Sequence, residues 1–251
     1  MAKPILVANW KNNPSSIVEA KALLKELSKN NLLYQKFSVF IAPPYPYLES
    51  VSERVGKFAK LAAQNIPVLS PGAHTGEITP DILKSFGVRL VIIGHSERRK
   101  LGETSEQVSQ KVKVALRSGM TPLVCVGEQT RDVDGEHFEF LRGELKNSLA
   151  SLTKQSANKV AIAYEPAWAI GKSGKDALGA KELAESVVFI RKVLTDLFGR
   201  TVAESIPVLY GGAVEVSNAY ELMKDTGVRG LLIGRASLSG KSFSAIAKSL
   251  I

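Results

Sequence analysis

Short runs of consecutive apolar residues recur along the chain, and longer stretches with helical spacing separate them. The runs are Ile5–Asn9 (ILVAN), Ser38–Ala42 (SVFIA), Lys60–Gln64 (KLAAQ), Leu90–Gly94 (LVIIG), Pro122–Gly127 (PLVCVG), Val160–Tyr164 (VAIAY), Pro207–Tyr210 (PVLY) and Gly230–Gly234 (GLLIG). They do not alternate apolar with polar. That is the pattern of strands covered on both faces, as in a parallel sheet. Between them, Ile17, Ala20, Leu24 and Leu27 fall on one helical face. Val108, Val112 and Ala115 share another, as do Leu183, Val187, Ile190 and Leu194,. Thr104 and Gln107 have the spacing of a capping box, and Thr79-Pro80-Asp81 opens a further helix,. Eight strand-then-helix units predict an α/β fold, a closed (β/α)8 barrel of eight parallel strands forming a single domain over 1–251,. The rival is an open doubly wound sheet, which carries a glycine-rich turn after its first strand. Here that strand is followed by NWKNNPSS, which has no glycine.

Composition narrows the classes without overturning this. Of 251 residues, 45% are hydrophobic and 23% charged, ordinary values for a globular chain,. Cys125 is the single cysteine, so no intramolecular disulfide forms; it lies in an apolar run and reads as a core thiol,. No apolar run has the length of a membrane span, and the opening MAKPILVANWK does not read as a secretory signal,. A cytoplasmic location is expected. The net charge of +9 is scattered over helices such as KALLKELSKNN. Neither an RNA-binding aromatic motif nor a finger spacing accompanies it, so no nucleic-acid partner is expected. Solvated helix faces account for most of the charge, and a small anionic substrate remains open.

In a barrel of this kind, chemistry sits on the loops that follow the strands. The first strand ends in Asn9-Trp10-Lys11, the fourth in Gly94-His95-Ser96-Glu97 and the sixth in Tyr164-Glu165-Pro166. Tyr210-Gly211-Gly212-Ala213 follows the seventh, and Gly234-Arg235-Ala236-Ser237 the eighth. Any one of these ends is unremarkable. Together they offer a candidate general base (Glu165), two groups able to polarise a carbonyl (Lys11, His95) and two glycine turns whose N–H groups suit a phosphate. Pro166 biases Glu165 to extended backbone, which puts it at a strand tip. The set points to proton abstraction beside a carbonyl in a small phosphorylated substrate. No cysteine–histidine cluster suggests a metal, and no cofactor is expected.

The motifs ANWKNN, AQN, GAHTGEIT, VIIGHSERR, CVGE, AYEPAWAIG, YGGAV and IGRASL, in that order, resemble the triosephosphate isomerase family from end to end. The resemblance implies a TIM barrel that interconverts dihydroxyacetone phosphate and D-glyceraldehyde 3-phosphate through an enediolate. It implies Glu165 as the base that shuttles the proton and His95 as a neutral electrophile. Lys11 and Asn9 would hold the substrate, with Glu97 paired to the lysine. Gly171, the backbone of Ala213, and the amides of Gly234 and Arg235 would cradle the phosphate. Pro166 to Ala177 would form a closing lid. The Gly72–Glu77 loop would join a homodimer, with Thr75 reaching the neighbouring subunit near its Asn9 and Lys11. His74 would then be a packed or hydrogen-bonded residue, His137 a helix-surface residue, and Trp10 and Trp168 packing residues.

The chain departs from the family pattern at the lid and the phosphate end. Ala167 replaces the usual valine, and Lys172-Ser173 lengthens the lid by one residue. Ala213 stands where a serine hydroxyl normally bonds the closed lid. Arg235 stands where a second glycine is usual, and its side chain is expected to point outward, the alternative being an added cation near the phosphate. Two other readings stay in view: another phosphosugar barrel enzyme such as an epimerase, and a phosphate-binding homologue that has lost catalysis.

Overall fold

A computed structural model describes residues 2–68, 72–132, 134–169 and 178–251. Eight strands form a closed barrel in sequence order: β1 Ile5–Asn9, β2 Ser38–Ala42, β3 Lys60–Ala63, β4 Val88–Ile93, β5 Thr121–Val126, β6 Ala161–Tyr164, β7 Val208–Tyr210 and β8 Gly230–Ile233. Every pair is parallel, and β1 closes on β8 through Ile5 opposite Gly230. That closure needs a glycine. A Cβ at Gly230 would lie 2.1 Å from the carbonyl oxygen of Ile5.

The unbroken apolar runs are sorted by the pleat into two cores. Val7, Phe40, Ala42, Leu90, Ile92, Leu123, Cys125, Leu209 and Leu232 fill the barrel interior. Their neighbours Leu6, Ala8, Val39, Ile41, Val124, Val126, Val208 and Leu231 point outward, against the helices. One place breaks the alternation. Val88 and Leu90 are two residues apart yet serve opposite cores. The register between β3 and β4 slips there, with Leu61 opposite Val88 and Ala62 opposite Leu90, so exposed Arg89 is the extra residue of a bulge,.

The helices follow the expected faces with two exceptions. In helix Ile17–Ser28 the buried residues are Ala20, Leu23, Leu24 and Leu27, whereas Ile17 is 36% exposed at the first turn. The Ser16 hydroxyl that accepts from Glu19 N–H starts this helix, and Leu23 joins Ala20, Leu24 and Leu27 on its buried face,. The capping box of Thr104 and Gln107 is formed, and Pro80 occupies the first turn of helix Pro80–Ser85. His137 corrects the sequence expectation. It lies in the first turn of helix Glu136–Ser148 but is buried, with Nδ1 3.0 Å from Asp132 Oδ2. The Asp132 carboxylate also accepts the N–H groups of Glu136 and His137, so it caps the helix and holds the imidazole against it,.

Candidate active site

The five polar strand ends line one cleft of about 770 Å3 at the carboxyl end of the barrel. Asn9, Lys11, His95, Glu97, Glu165, Ala213, Gly234 and Arg235 all border it, together with Gly211 and Gly212. Gly171 belongs to residues 170–177, which lie outside the described residues. Leu232 from the barrel interior also borders the cleft, as do Val214, Glu215 and Leu238, none of which the sequence reading had singled out.

Lys11 has a left-handed backbone, φ 54°, which is uncommon for a side-chain-bearing residue,. Such a conformation costs roughly 1–3 kcal/mol, so local hydrogen bonds must offset it. Asn9 Oδ1 accepts the Lys11 N–H at 3.0 Å, and Gln64 Nε2 donates to the Lys11 carbonyl at 2.8 Å. The bend aims Nζ at Glu97 Oε1, 2.6 Å away, as the family resemblance implied. Burial alone would raise the Glu97 carboxyl, but the hydrogen bond and charge of Lys11 outweigh it and hold the group below its ordinary value,. Gly234 keeps this space open, because a Cβ there would come 3.1 Å from Lys11 Cε.

His95 precedes helix Ser96–Lys100, and its Nδ1 accepts the N–H of Glu97 at 3.2 Å. An accepting Nδ1 carries no hydrogen, so the neutral ring bears its proton on Nε2. That Nε2 lies 3.4 Å from Glu165 Oε1. Glu165 is 1% exposed; its Oε2 accepts Ser96 N–H at 3.2 Å, and Oε1 has no hydrogen-bond partner. A buried carboxylate with one oxygen left open is costly. Two glycines make its position possible. A Cβ at Gly211 would meet Glu165 Cγ at 2.7 Å, and one at Gly127 would meet the Glu165 carbonyl oxygen at 2.0 Å. Gly211 therefore makes room for Glu165.

At the far end, Asn218 folds the 211–215 turn: its Nδ2 donates to Ala213 O at 2.9 Å, and its Oδ1 accepts Glu215 N–H at 2.8 Å. Ser237 Oγ donates to Gly234 O at 2.7 Å, fixing the turn after β8. Arg235 is exposed on the cleft rim. Among the described residues no group of three or more His, Cys, Asp or Glu side chains gathers to hold a metal ion.

The family model described as Triosephosphate isomerase matches residues 4–250. A Triosephosphate isomerase of Clostridium botulinum (strain Okra / Type B1) is 41% identical over 98% of this chain and 99% of its own. One of Carboxydothermus hydrogenoformans is 39% identical over 100% of both chains. One of Fusobacterium nucleatum is 38% identical over 99% of both. The chain belongs to the triosephosphate isomerase family.

Supporting groups become visible only with the family's fold in three dimensions. Glu128, from the CVGE motif, accepts from Tyr164 Oη and Trp168 Nε1, both at 2.9 Å, while its carbonyl accepts Ala167 N–H. Residues just after Glu165 are thus tied to the end of β5, and Trp168 makes a polar contact beyond the packing expected of it. Trp10 is fully buried packing, as expected. Cys125 is a core thiol: burial pushes it well above its ordinary value, and the Glu165 charge adds to this. It is therefore no nucleophile at neutral pH.

Proposed function

We propose that the chain interconverts dihydroxyacetone phosphate and D-glyceraldehyde 3-phosphate by proton transfer through an enediolate. The observation that carries this reading is the facing pair: His95, whose Nδ1 accepts the Glu97 N–H and so leaves Nε2 to carry the ring hydrogen, sets that Nε2 3.4 Å from Oε1 of the buried Glu165 carboxylate. A substrate carbon placed between them would lose its proton to Glu165, while His95 Nε2–H donates to the adjoining oxygen. Returning the proton to the neighbouring carbon completes the isomerisation, and neither group is consumed. Lys11 supplies a positive charge to the substrate oxygens, and Glu97 holds its Nζ in place. Asn9 uses Oδ1 on the Lys11 N–H, which leaves its amide N–H groups for a substrate oxygen. The backbone of Ala213, Gly234 and Arg235 forms the phosphate end. One domain carries all of this.

An epimerase reading lacks a feature that favours it, and a silent phosphate binder would not need the unpartnered oxygen on Glu165. A coupled assay with glyceraldehyde 3-phosphate tests the proposal: rapid isomerisation is expected, and a silent well-folded chain would remove it.

We further propose a cytoplasmic homodimer joined through the Gly72–Glu77 loop. Thr75, Gly76 and Glu77 in that loop are exposed in the single chain, and so is Leu101, at 79%. No described helix is long and apolar enough to cross a membrane. Sedimentation at micromolar concentration is expected to give twice the chain mass; a monomer would refute the dimer.

A further inference from the structure

We propose that Glu144, locked by Arg99, is a positioning residue for the isomerisation: the pair fixes the two strand ends against which His95 and Glu165 are set. The proposal rests on the reading of those two residues given above. Neither partner touches the cleft. Arg99 lies one turn beyond His95, and its guanidinium turns back under the site. Nε donates to Gly94 O at 3.0 Å, Nη1 to Ser105 Oγ at 3.2 Å, and Nη2 to Ser148 Oγ at 3.1 Å and Cys125 O at 3.4 Å. The ends of β4 and β5 are thereby held by one planar group. Glu144, from helix Glu136–Ser148, meets Arg99 Nε with Oε1 at 3.1 Å.

Its other oxygen carries the link to the base. Glu144 Oε2 accepts the Gly127 N–H at 2.7 Å. Gly127 is the residue whose Cα face lies directly against the Glu165 carbonyl, too close for any Cβ. Glu165 N–H in turn donates to Val126 O at 2.8 Å. So the 126–127 backbone, anchored by Glu144, is the wall on which Glu165 rests. Gly94 completes the other arm. With φ +74° and an absent Cβ that would lie 2.9 Å from Val108 Cγ2 and 3.2 Å from Arg99 Nη2, it lets the guanidinium lie beneath His95. A planar fork can serve several acceptors at fixed angles, which a lysine cannot do.

The charges around Glu144 fit a brace built close to its limit. Burial pushes its carboxyl up to about 7, against the opposing pull of Arg99 and the Gly127 N–H, and the carboxylates of Glu165 and Glu128 add to the rise. Arg99 is the attractive cation among these groups. Loss of the Glu144 charge would leave Arg99 facing only neutral acceptors, and loss of its Oε2 would release Gly127.

The test compares Glu144→Gln, Glu144→Ala and Arg99→Lys with wild type, at a temperature where melting curves show each fully folded. Arg142→Ala, on the same helix but paired at the surface with Glu139 and Asp196, is the control. Small displacements of reacting groups reduce rate while leaving anchoring contacts intact. The expected kcat falls are about tenfold for Glu144→Gln and Arg99→Lys, and roughly a hundredfold for Glu144→Ala, with KM and the Kd of inorganic phosphate within about twofold. Arg142→Ala is expected to keep kcat. Arg99→Lys combined with Glu144→Gln should cost little more than either alone, because both break one unit. If Glu144→Ala does not fold, the two conservative variants carry the test. Folded variants with unchanged kcat, or with raised KM and unchanged kcat, overturn the proposal. A wild-type chain without isomerase activity would overturn the functional reading instead. The brace would then be read from the 15N shifts of the His95 ring, which Glu144→Gln should move and which, if unmoved, refute it.

Discussion

His95 and His137 are buried almost equally, at 6% and 7% exposure, and each has a carboxylate within 4 Å of a ring nitrogen. Their chemistry is opposite because different groups meet Nδ1. At His95 a backbone N–H donates to Nδ1, so the ring must carry its proton on Nε2, toward the cleft and Glu165,. At His137, Nδ1 faces the acceptor-only Asp132 carboxylate, so the proton belongs on Nδ1, and Nε2 is buried without a partner,. One ring turns its donor toward the cleft; the other spends its donor on a helix start. Burial and residue type do not separate the two histidines. The group that meets Nδ1 does,.

The largest expected effect comes from removing what His95 faces. Glu165→Gln keeps the volume and the contact to Ser96 N–H but cannot accept a carbon-bound proton. It should lower kcat by roughly 10^3-fold with folding intact, as the loss of a general base does. Steady-state rates with glyceraldehyde 3-phosphate, beside a thermal melt, decide this; near-normal turnover would remove Glu165 as the base.

Next is the pair of substitutions that breaks the comparison directly. His95→Gln should reduce kcat by roughly 10^2-fold and leave stability nearly unchanged, since Gln also donates but holds no fixed tautomer. His137→Gln should leave kcat within about twofold and lower the unfolding free energy by about 1–2 kcal/mol, for a buried hydrogen bond disturbed. Denaturant titrations and rates on both variants give the answer. A kinetic defect in His137→Gln, or none in His95→Gln, would reverse the assignment.

A pH experiment sharpens the His137 side. At Asp132, burial pushes the carboxyl up, but hydrogen bonds from the His137 backbone and ring and from Glu136 N–H outweigh it, and the group is held well below its ordinary 3.8,. The unfolded chain therefore binds the proton more readily. The stabilisation is present above pH 3.8 and is lost as pH falls through the lower folded value,. Asp132→Asn should melt below wild type at pH 6, and the gap should shrink steadily on acidification beneath pH 4. A gap that stays constant would mean that the carboxylate charge does not bind His137 and the helix start.

What could be read from sequence follows from the same physics. Strands covered on both faces announce themselves as unbroken apolar runs, so all eight were placed to within a few residues. The barrel then gathers their polar ends without further information. The bulge at Arg89 has no such signature, because it depends on how β3 and β4 pair. Arg99 and Glu144 were illegible for another reason: in RRK and RGELKNS they look like any solvated helix face. Only folding shows that they meet under the site. Gly211 and Gly127 were visible as glycines, but the space they leave for Glu165 has no counterpart in one dimension. His137 was misplaced because its partner, Asp132, lies in the loop before the helix rather than on it.

The smallest effect tests whether the phosphate end is built, like the His95 donor, from backbone groups fixed by their neighbours. Ala213 borders the cleft, and Asn218 holds the turn it belongs to by two hydrogen bonds. The family places a serine there, whose hydroxyl bonds the closed lid. One such bond contributes about 0.5–1.5 kcal/mol, a factor of roughly two to ten in an equilibrium. Ala213→Ser should therefore tighten a phosphate-bearing analogue by that factor and leave the affinity for inorganic phosphate alone unchanged, because the substitution leaves the backbone amides of the turn as they are. If the analogue and kcat are both unmoved, closure here does not use a hydroxyl at 213, and the cradle is a backbone device throughout.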